Sequence, residues 1–299
     1  MSQTSRRDFL KSTVTASVLA GTAKVIPAQA RRRSATDLVN VGNSGVSVTR
    51  LAFGTGTFGG SQVREMGQEP FTRLVRHAYD RGIRFFETSE NYGGGLVPQM
   101  LAVALKGLPR DSYRLMTKYD VRPGDDPRAK IDRYRKDLNS DRIDILLLHG
   151  QRSPRWPELT QSIRDVFSDA KSKKIISAHG VSIHGLQGLS ACPGNQWLDV
   201  ALLRLNHNGA RMDTPELQDT DARGDVNLVV AQARKIRGQG TGVLGMKLIG
   251  EGQFTKPEDR EASIRFVMGL GVVDAVTIGF TSIQHIDEAL ERINRALNA

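Results

Sequence analysis

The sequence predicts an α/β fold: a single (β/α)8 TIM barrel with a short N-terminal hairpin. Three observations lead there. Short apolar runs alternate with amphipathic stretches from Leu38 onward. Eight strand–helix units fit into roughly 250 residues, the count and size of such a barrel. No internal repeat or second core interrupts the series.

The hairpin comes first. Its arms are Leu38–Val41 and Val46–Thr49, and the residues between them, Gly42-Asn43-Ser44-Gly45, are turn formers. Strands are then expected at Leu51–Gly54, Arg84–Glu87, Arg114–Lys118, Ile143–Leu148, Ala178–Val181, Val200–Arg204, Gly242–Met246 and Ala275–Ile278. Ile145-Leu146-Leu147-Leu148 is apolar on both faces, as suits a strand with helices on one side and a core on the other. Helical patterns fall between the strands, at Phe71–Arg81, Gln99–Lys106, Lys130–Leu138, Leu159–Lys171, Asn227–Arg237 and Ile283–Leu297. A doubly wound sheet is the main rival. The run Gly54-Thr55-Gly56-Thr57-Phe58-Gly59-Gly60 has the wrong spacing for its dinucleotide turn, and no helix follows at once.

Composition bounds the function. The chain has 299 residues, 39% of them hydrophobic and 25% charged, which excludes a polytopic membrane protein and a mostly disordered chain. Cys192 is the sole cysteine, so an intrachain disulfide and a multi-cysteine metal site are excluded. The net charge of +10 invites a nucleic-acid reading until it is located. Arg6, Arg7, Lys11 and Lys24 against Asp8 put +3 of it in residues 1–30, and Arg31-Arg32-Arg33 hold three of the remaining charges. The rest of the chain is mildly basic, and no nucleic-acid partner is expected.

The first thirty residues read as an export address. Ser5-Arg6-Arg7-Asp8-Phe9-Leu10-Lys11 is followed by a weakly apolar stretch to Ile26 and by Ala28-Gln29-Ala30, a small-x-small cleavage signature. This resembles the signal of the bacterial twin-arginine (Tat) pathway, which implies the Tat translocation machinery as a partner and a periplasmic or otherwise exported protein. The stretch is short and interrupted by Lys24, so no stable membrane span is expected. The organisation expected is a signal over 1–30, a basic flexible arm over 31–37 and the barrel over 38–299.

In such a barrel, chemistry gathers where strands end at the C-terminal rim. The second barrel strand ends in Glu87 with Tyr92 in the next loop, the third ends in Lys118, and the fourth runs into His149. A lysine beside a phenol favours the phenolate, a carboxylate holds that lysine, and an imidazole can orient a carbonyl oxygen. Together they make a proton donor for a carbonyl that receives a hydride. No nucleophile–base pair for acyl transfer is present.

These residues carry a resemblance. Phe86-Glu87-Thr88-Ser89-Glu90-Asn91-Tyr92-Gly93 is similar to the aldo-keto reductase signature, and the likeness continues through Met116-Thr117-Lys118, Arg142–His149, Gly180-Val181-Ser182 and Thr277-Ile278-Gly279. It implies bound NADP(H), with NAD as the alternative, and a small-molecule aldehyde or ketone as substrate. It also implies Tyr92 as general acid, Lys118 as its tuner and His149 as the group that positions the carbonyl. Glu87 stands where the family has Asp.

The resemblance also assigns cofactor contacts. Thr55 and Gly56 fall near the nicotinamide, Ser182 at its carboxamide, Gly279 and Thr281 at the phosphates, and Glu288 at the adenine. Several family positions are replaced: Ile183 for an asparagine, Leu202 for a glutamine, Leu205 for the tyrosine that stacks on the nicotinamide, His285 for Arg or Gln, and Ala289 for an asparagine. That thinning keeps a second class open, a non-catalytic ligand-binding or sensor barrel. A third is a metal-dependent lyase or hydrolase using His149, His184 and His207, which follow neighbouring strands.

Overall fold

In each barrel strand, every second side chain points inward, and this period builds the molecule. The computed structural model describes residues 32–216 and 222–299. The export signal expected over 1–30 lies outside the described residues.

A two-stranded antiparallel hairpin, β1 (Leu38–Asn40) and β2 (Ser47–Thr49), precedes the barrel. Eight parallel strands then close on themselves. They are β3 (Leu51–Gly54), β4 (Phe85–Glu87), β5 (Arg114–Tyr119), β6 (Ile143–Gln151), β7 (Ile176–Ile183), β8 (Val200–Arg204), β9 (Gly242–Met246) and β10 (Ala275–Gly279). β10 pairs with β3 to seal the ring. The helices are α1 (Ser61–Met66), α2 (Gln68–Asp80), α3 (Leu96–Leu105), α4 (Pro127–Asp137), α5 (Trp156–Leu159), α6 (Gln161–Ser172), α7 (Leu186–Ser190), α8 (Val226–Gly238), α9 (Pro257–Gly269) and α10 (Ile283–Leu297).

Two buried clusters follow from the alternation. Ala52, Phe85, Met116, Ile145, Leu147, Ala178, Val200, Leu202 and Leu244 fill the barrel interior, and the hairpin's Val41, Val46 and Val48 join them as its floor. Leu51, Phe53, Phe86, Leu115, Leu146, Leu148, Val181 and Leu203 point outward into the helical layer. The floor is fitted closely: at Gly42, which has φ +51°, a Cβ would come within 2.3 Å of the Gly242 nitrogen.

The strands lie where the sequence predicts them, with two of them, β6 and β7, longer than expected. β6 and β7 run past the predicted ends because they stay paired at the mouth, where Gln151 meets Ile183 beyond an irregularity in register. His149 is therefore carried on a strand. The expected mobile arm is corrected in part. Ala35 is fully buried, the Arg33 guanidinium donates to the Leu297 carbonyl, and Ala35 N–H donates to Asn294 Oδ1 at 2.7 Å. These bonds dock the segment on α10, so residues 33–37 belong to the folded body. No helix among the described residues is long and apolar enough to cross a membrane.

Candidate functional site

Continuing each strand's inward parity to its C-terminal end brings Glu87, Lys118, His149, Arg204, Thr277 and Gly279 to one mouth. Lys118 and Glu87 are only 1% and 3% exposed, so neither charge could lie there without the other. The Lys118 ammonium contacts Glu87 Oε1 directly and donates to Tyr92 Oη at 2.7 Å and to the Thr88 carbonyl at 3.2 Å. Tyr92 Oη also lies 3.5 Å from Glu87 Oε1, and Thr277 Oγ1 donates to Glu87 Oε2 at 3.3 Å. The longer side chain of Glu87 therefore spans to Lys118 and still finds a donor on the far side.

Tyr92 is brought in by a turn. It opens Tyr92–Gly95, where Gly93, Gly94 and Gly95 all take positive φ before α3 begins, a path that needs glycine. The loop after β3 presses on it from above: a Cβ on Gly56 would sit 2.4 Å from Tyr92 Oη. His149 packs edge-on against both Tyr92 and His184, with ring centroids 5.9 and 5.7 Å apart. Its Nδ1 lies 2.6 Å from Asp120 Oδ1.

The protonation states differ from the simplest expectation. Burial, helped by the charges of Asp120 and Glu251, pushes the Tyr92 phenol well above its ordinary value rather than below it. Burial, with the Lys247 charge, draws Lys118 down. The lysine is engaged by Glu87 and by the phenol oxygen at once. The resting site thus holds a neutral phenol with a donor already on its oxygen.

Three cavities surround this centre. One of about 270 Å³ is lined by Gly54, Gly56, Thr57, Tyr92, Lys118 and Gly279 among others. A second, of about 300 Å³, continues it under α10 past Arg260, Glu288, Ala289 and Arg292. The two share Ile249, Gly252, Ile278, Gly279 and His285, so they form one groove running from Tyr92 to the start of α10. A third, of about 310 Å³, opens on the other side of Tyr92 and is lined by His149, His184, Arg204, Arg211, Lys247 and Glu251.

The groove fits a dinucleotide. Ser182 is fully buried on β7, and its Oγ has no hydrogen-bond partner among the described residues, as expected of a hydroxyl that awaits one. The backbone at Gly279 comes so close to Thr57 that a Cβ would meet Oγ1 at 2.1 Å. Thr281 and His285 line the groove at the N-terminus of α10, which Ser282 caps, and such a terminus suits phosphate. Glu288 lies in the second cavity, held by Arg260 and Arg292 at 2.8 Å each.

Other assigned positions are placed differently. Thr55 donates both its N–H and its hydroxyl to the Glu87 carbonyl, while Thr57 lines the groove. Leu205 has outward parity and is buried in the helical layer, so it does not meet the groove; Met246, at the end of β9, lines both the groove and the third cavity. His207 packs on Phe254 at 5.2 Å, apart from the His149–His184 pair. Among the described residues, no group of three His, Cys, Asp or Glu is placed to hold a metal ion.

Asp120, Arg204, Arg211 and Thr277 are site residues that motif reading missed. The signal available was parity. Arg204 lies two residues beyond the inward Leu202 and so points into the mouth, and Asp120, two residues beyond Lys118, comes beside His149.

The chain is 36% identical over 121 residues to the L-galactose dehydrogenase of Arabidopsis thaliana, a match that spans 38% of each protein. It is 25% identical over 243 residues to an uncharacterised oxidoreductase of Bacillus subtilis, covering 74% of this chain and 72% of that one. An aldo-keto reductase of Klebsiella pneumoniae solved in complex with NADPH superposes with a TM-score of 0.63 over 87% of this chain and 89% of its own. At 15% identity, that is a likeness of fold. The profile of the Aldo/keto reductase family matches residues 50–296. The chain belongs to the aldo/keto reductase family.

Proposed function

We propose that this oxidoreductase reduces an aldehyde or ketone with NADP(H), using Tyr92 as general acid, and that it works after export through the twin-arginine pathway. The carrying observation is the placement of Lys118 Nζ between Glu87 and Tyr92, 2.7 Å from the phenol oxygen, at the junction of the groove and the third cavity. When bound, the reduced nicotinamide supplies the hydride.

The chain's own residues do the rest. A carbonyl in the third cavity lies between Tyr92 and His149. As its carbon gains the hydride, its oxygen takes the Tyr92 proton. The phenolate left behind keeps its bond from Lys118, and Glu87 holds that ammonium in place. Ser182 is the candidate for the carboxamide, and Gly279 and Thr281 for the phosphates. Arg260 and Arg292 line the far end of the groove, where their guanidinium N–H groups, now engaged by Glu288, are the candidates to meet a 2′-phosphate, which supports NADP(H) over NAD.

The third cavity is polar and is lined by Arg204, Arg211 and Lys247. That lining supports a polar, oxygen-rich carbonyl rather than an apolar one, in keeping with a relative named for a sugar. Export rests on Arg6-Arg7 and Ala28-Gln29-Ala30. Because the Tat pathway carries folded proteins, the cofactor would be acquired before translocation.

Tyr92→Phe tests the mechanism. It should lower carbonyl reduction by about 100-fold or more while leaving NADPH binding unchanged; full activity would remove Tyr92 from the reaction. Cell fractionation of the wild type against a variant with Arg6→Lys and Arg7→Lys tests export. Retention of the variant alone inside the cell is expected, and equal distribution of the two would contradict the route.

A further inference from the structure

His149 is held from behind. Its Nδ1 lies 2.6 Å from Asp120 Oδ1 and 3.2 Å from Ser89 Oγ. The sheet makes this contact direct: Lys118 pairs with Leu147, so two residues further along the strands Asp120 comes beside His149. Burial pushes the Asp120 carboxyl up. The hydrogen bond and charge of His149, with Arg122 and Lys130, more than offset that and hold it below its ordinary value.

An ionised carboxylate only accepts hydrogen bonds, so Nδ1 carries the proton. A neutral imidazole has a single N–H, which leaves Nε2 as a bare acceptor. Nε2 has no hydrogen-bond partner among the described residues, and the ring lines the cavity beside Tyr92.

We infer that Asp120 is a positioning residue that fixes the His149 tautomer, so that only the imidazolium presents an N–H to a carbonyl oxygen in this cavity. The consequence for catalysis rests on the carbonyl-reduction reading; the tautomer does not. A neutral His149 sets a lone pair against the carbonyl oxygen. The protonated ring donates Nε2–H to that oxygen and adds positive charge where negative charge develops. Tyr92 still delivers the proton that forms the new O–H bond, and His149 keeps its own.

The groups that face the ring set where it titrates. Lys118 comes from β5, Glu90 and Tyr92 from the segment between β4 and α3, and His184 from the end of β7. Arg204, Arg211, Lys247 and Glu251 stand across the cavity, and Arg122 and Lys130 lie behind Asp120. Burial lowers the pKa of His149, and Lys118 adds to that. Asp120 and Glu90 raise it, and the net shift is downward. Reduction then has its full rate below this pKa, which lies under the ordinary value of about 6.5, and is lost as the pH rises through it.

Two measurements test this. The pH profile of kcat/KM for carbonyl reduction should fall about tenfold per pH unit on its alkaline side in the wild type. In Asp120→Asn it should flatten, because an amide can donate to Nδ1 and let the neutral ring carry its proton on Nε2. An equal loss at every pH would mean a merely structural role and would overturn the inference. The second measurement needs no turnover: nitrogen NMR of the histidine rings in the wild-type protein, with the His149 signal identified by its absence in His149→Gln. The neutral ring should show a protonated Nδ1 and an unprotonated Nε2. A protonated Nε2 would overturn the inference even if carbonyls are reduced. The expected spectrum without any turnover would sink the reductase reading and leave the tautomer standing.

Discussion

Glu87 and Lys118 form an ion pair that almost no solvent reaches, and Tyr92 closes over it. Removing one partner leaves the other charge buried and unmatched. Glu87→Gln should therefore cost about 3–5 kcal/mol in urea unfolding. Lys118→Met in the same background should recover part of that loss, without restoring activity. If Glu87→Gln is as stable as the wild type, the pair is not the charged contact described. Glu87→Asp shortens the side chain by one carbon, so it should be milder than Glu87→Gln in both stability and turnover.

Gly56 tests how closely the phenol must be held. Its backbone is allowed to any residue at φ −94°, but a Cβ would lie 2.4 Å from Tyr92 Oη. Gly56→Ala should fold and yet lose about tenfold or more in kcat, since a small displacement at the reacting group carries a large cost in rate. Unchanged kcat would show that the Tyr92 hydroxyl tolerates movement away from Lys118.

Acid should weaken the barrel through a group remote from the mouth. His179 stacks on Trp197 at 4.4 Å and is only 6% exposed, and burial lowers its pKa to about 4 despite Asp199. The unfolded chain, with an ordinary value near 6.5, binds that proton first. Stability is therefore full above about pH 6.5 and falls by up to ~3 kcal/mol as the pH drops toward 4. His179→Phe keeps a ring on Trp197 and should remove most of that slope, as read from urea unfolding at several pH values. A slope identical to that of the wild type would assign the acid sensitivity to other groups.

The same periodicity explains what the sequence made legible. Apolar runs such as Ile145–Leu148 marked buried strands because a barrel strand is covered on both faces. The polar residues at strand ends, Glu87, Lys118 and His149, stood out against those runs. Asp120 and Arg204 did not, because the strand register that brings Arg204 into the mouth and Asp120 beside His149 continues beyond the apolar signal. The phenol's raised pKa was also out of reach, since it depends on burial and on the nearby charges of Asp120 and Glu251, all set by packing. Leu205 was misplaced for the complementary reason: one residue of register reverses the face, and motif alignment alone did not count it.

Lys247 bears on substrate class. It follows β9 at a positive φ of 62°, lines the third cavity and contacts Glu251. Lys247→Met should lower kcat/KM for polar or acidic carbonyls by about tenfold relative to apolar ones of similar size. An equal effect on both would remove this face of the cavity from substrate selection.

The most direct test is a titration of the folded protein, without its first thirty residues, with NADPH and separately with NADH, followed by addition of carbonyl compounds. Saturable quenching or shifting of the nicotinamide fluorescence, tighter for NADPH, and its oxidation when a carbonyl is added are the results expected. A folded protein that alters the fluorescence of neither cofactor at high concentration would contradict a nicotinamide-dependent reductase.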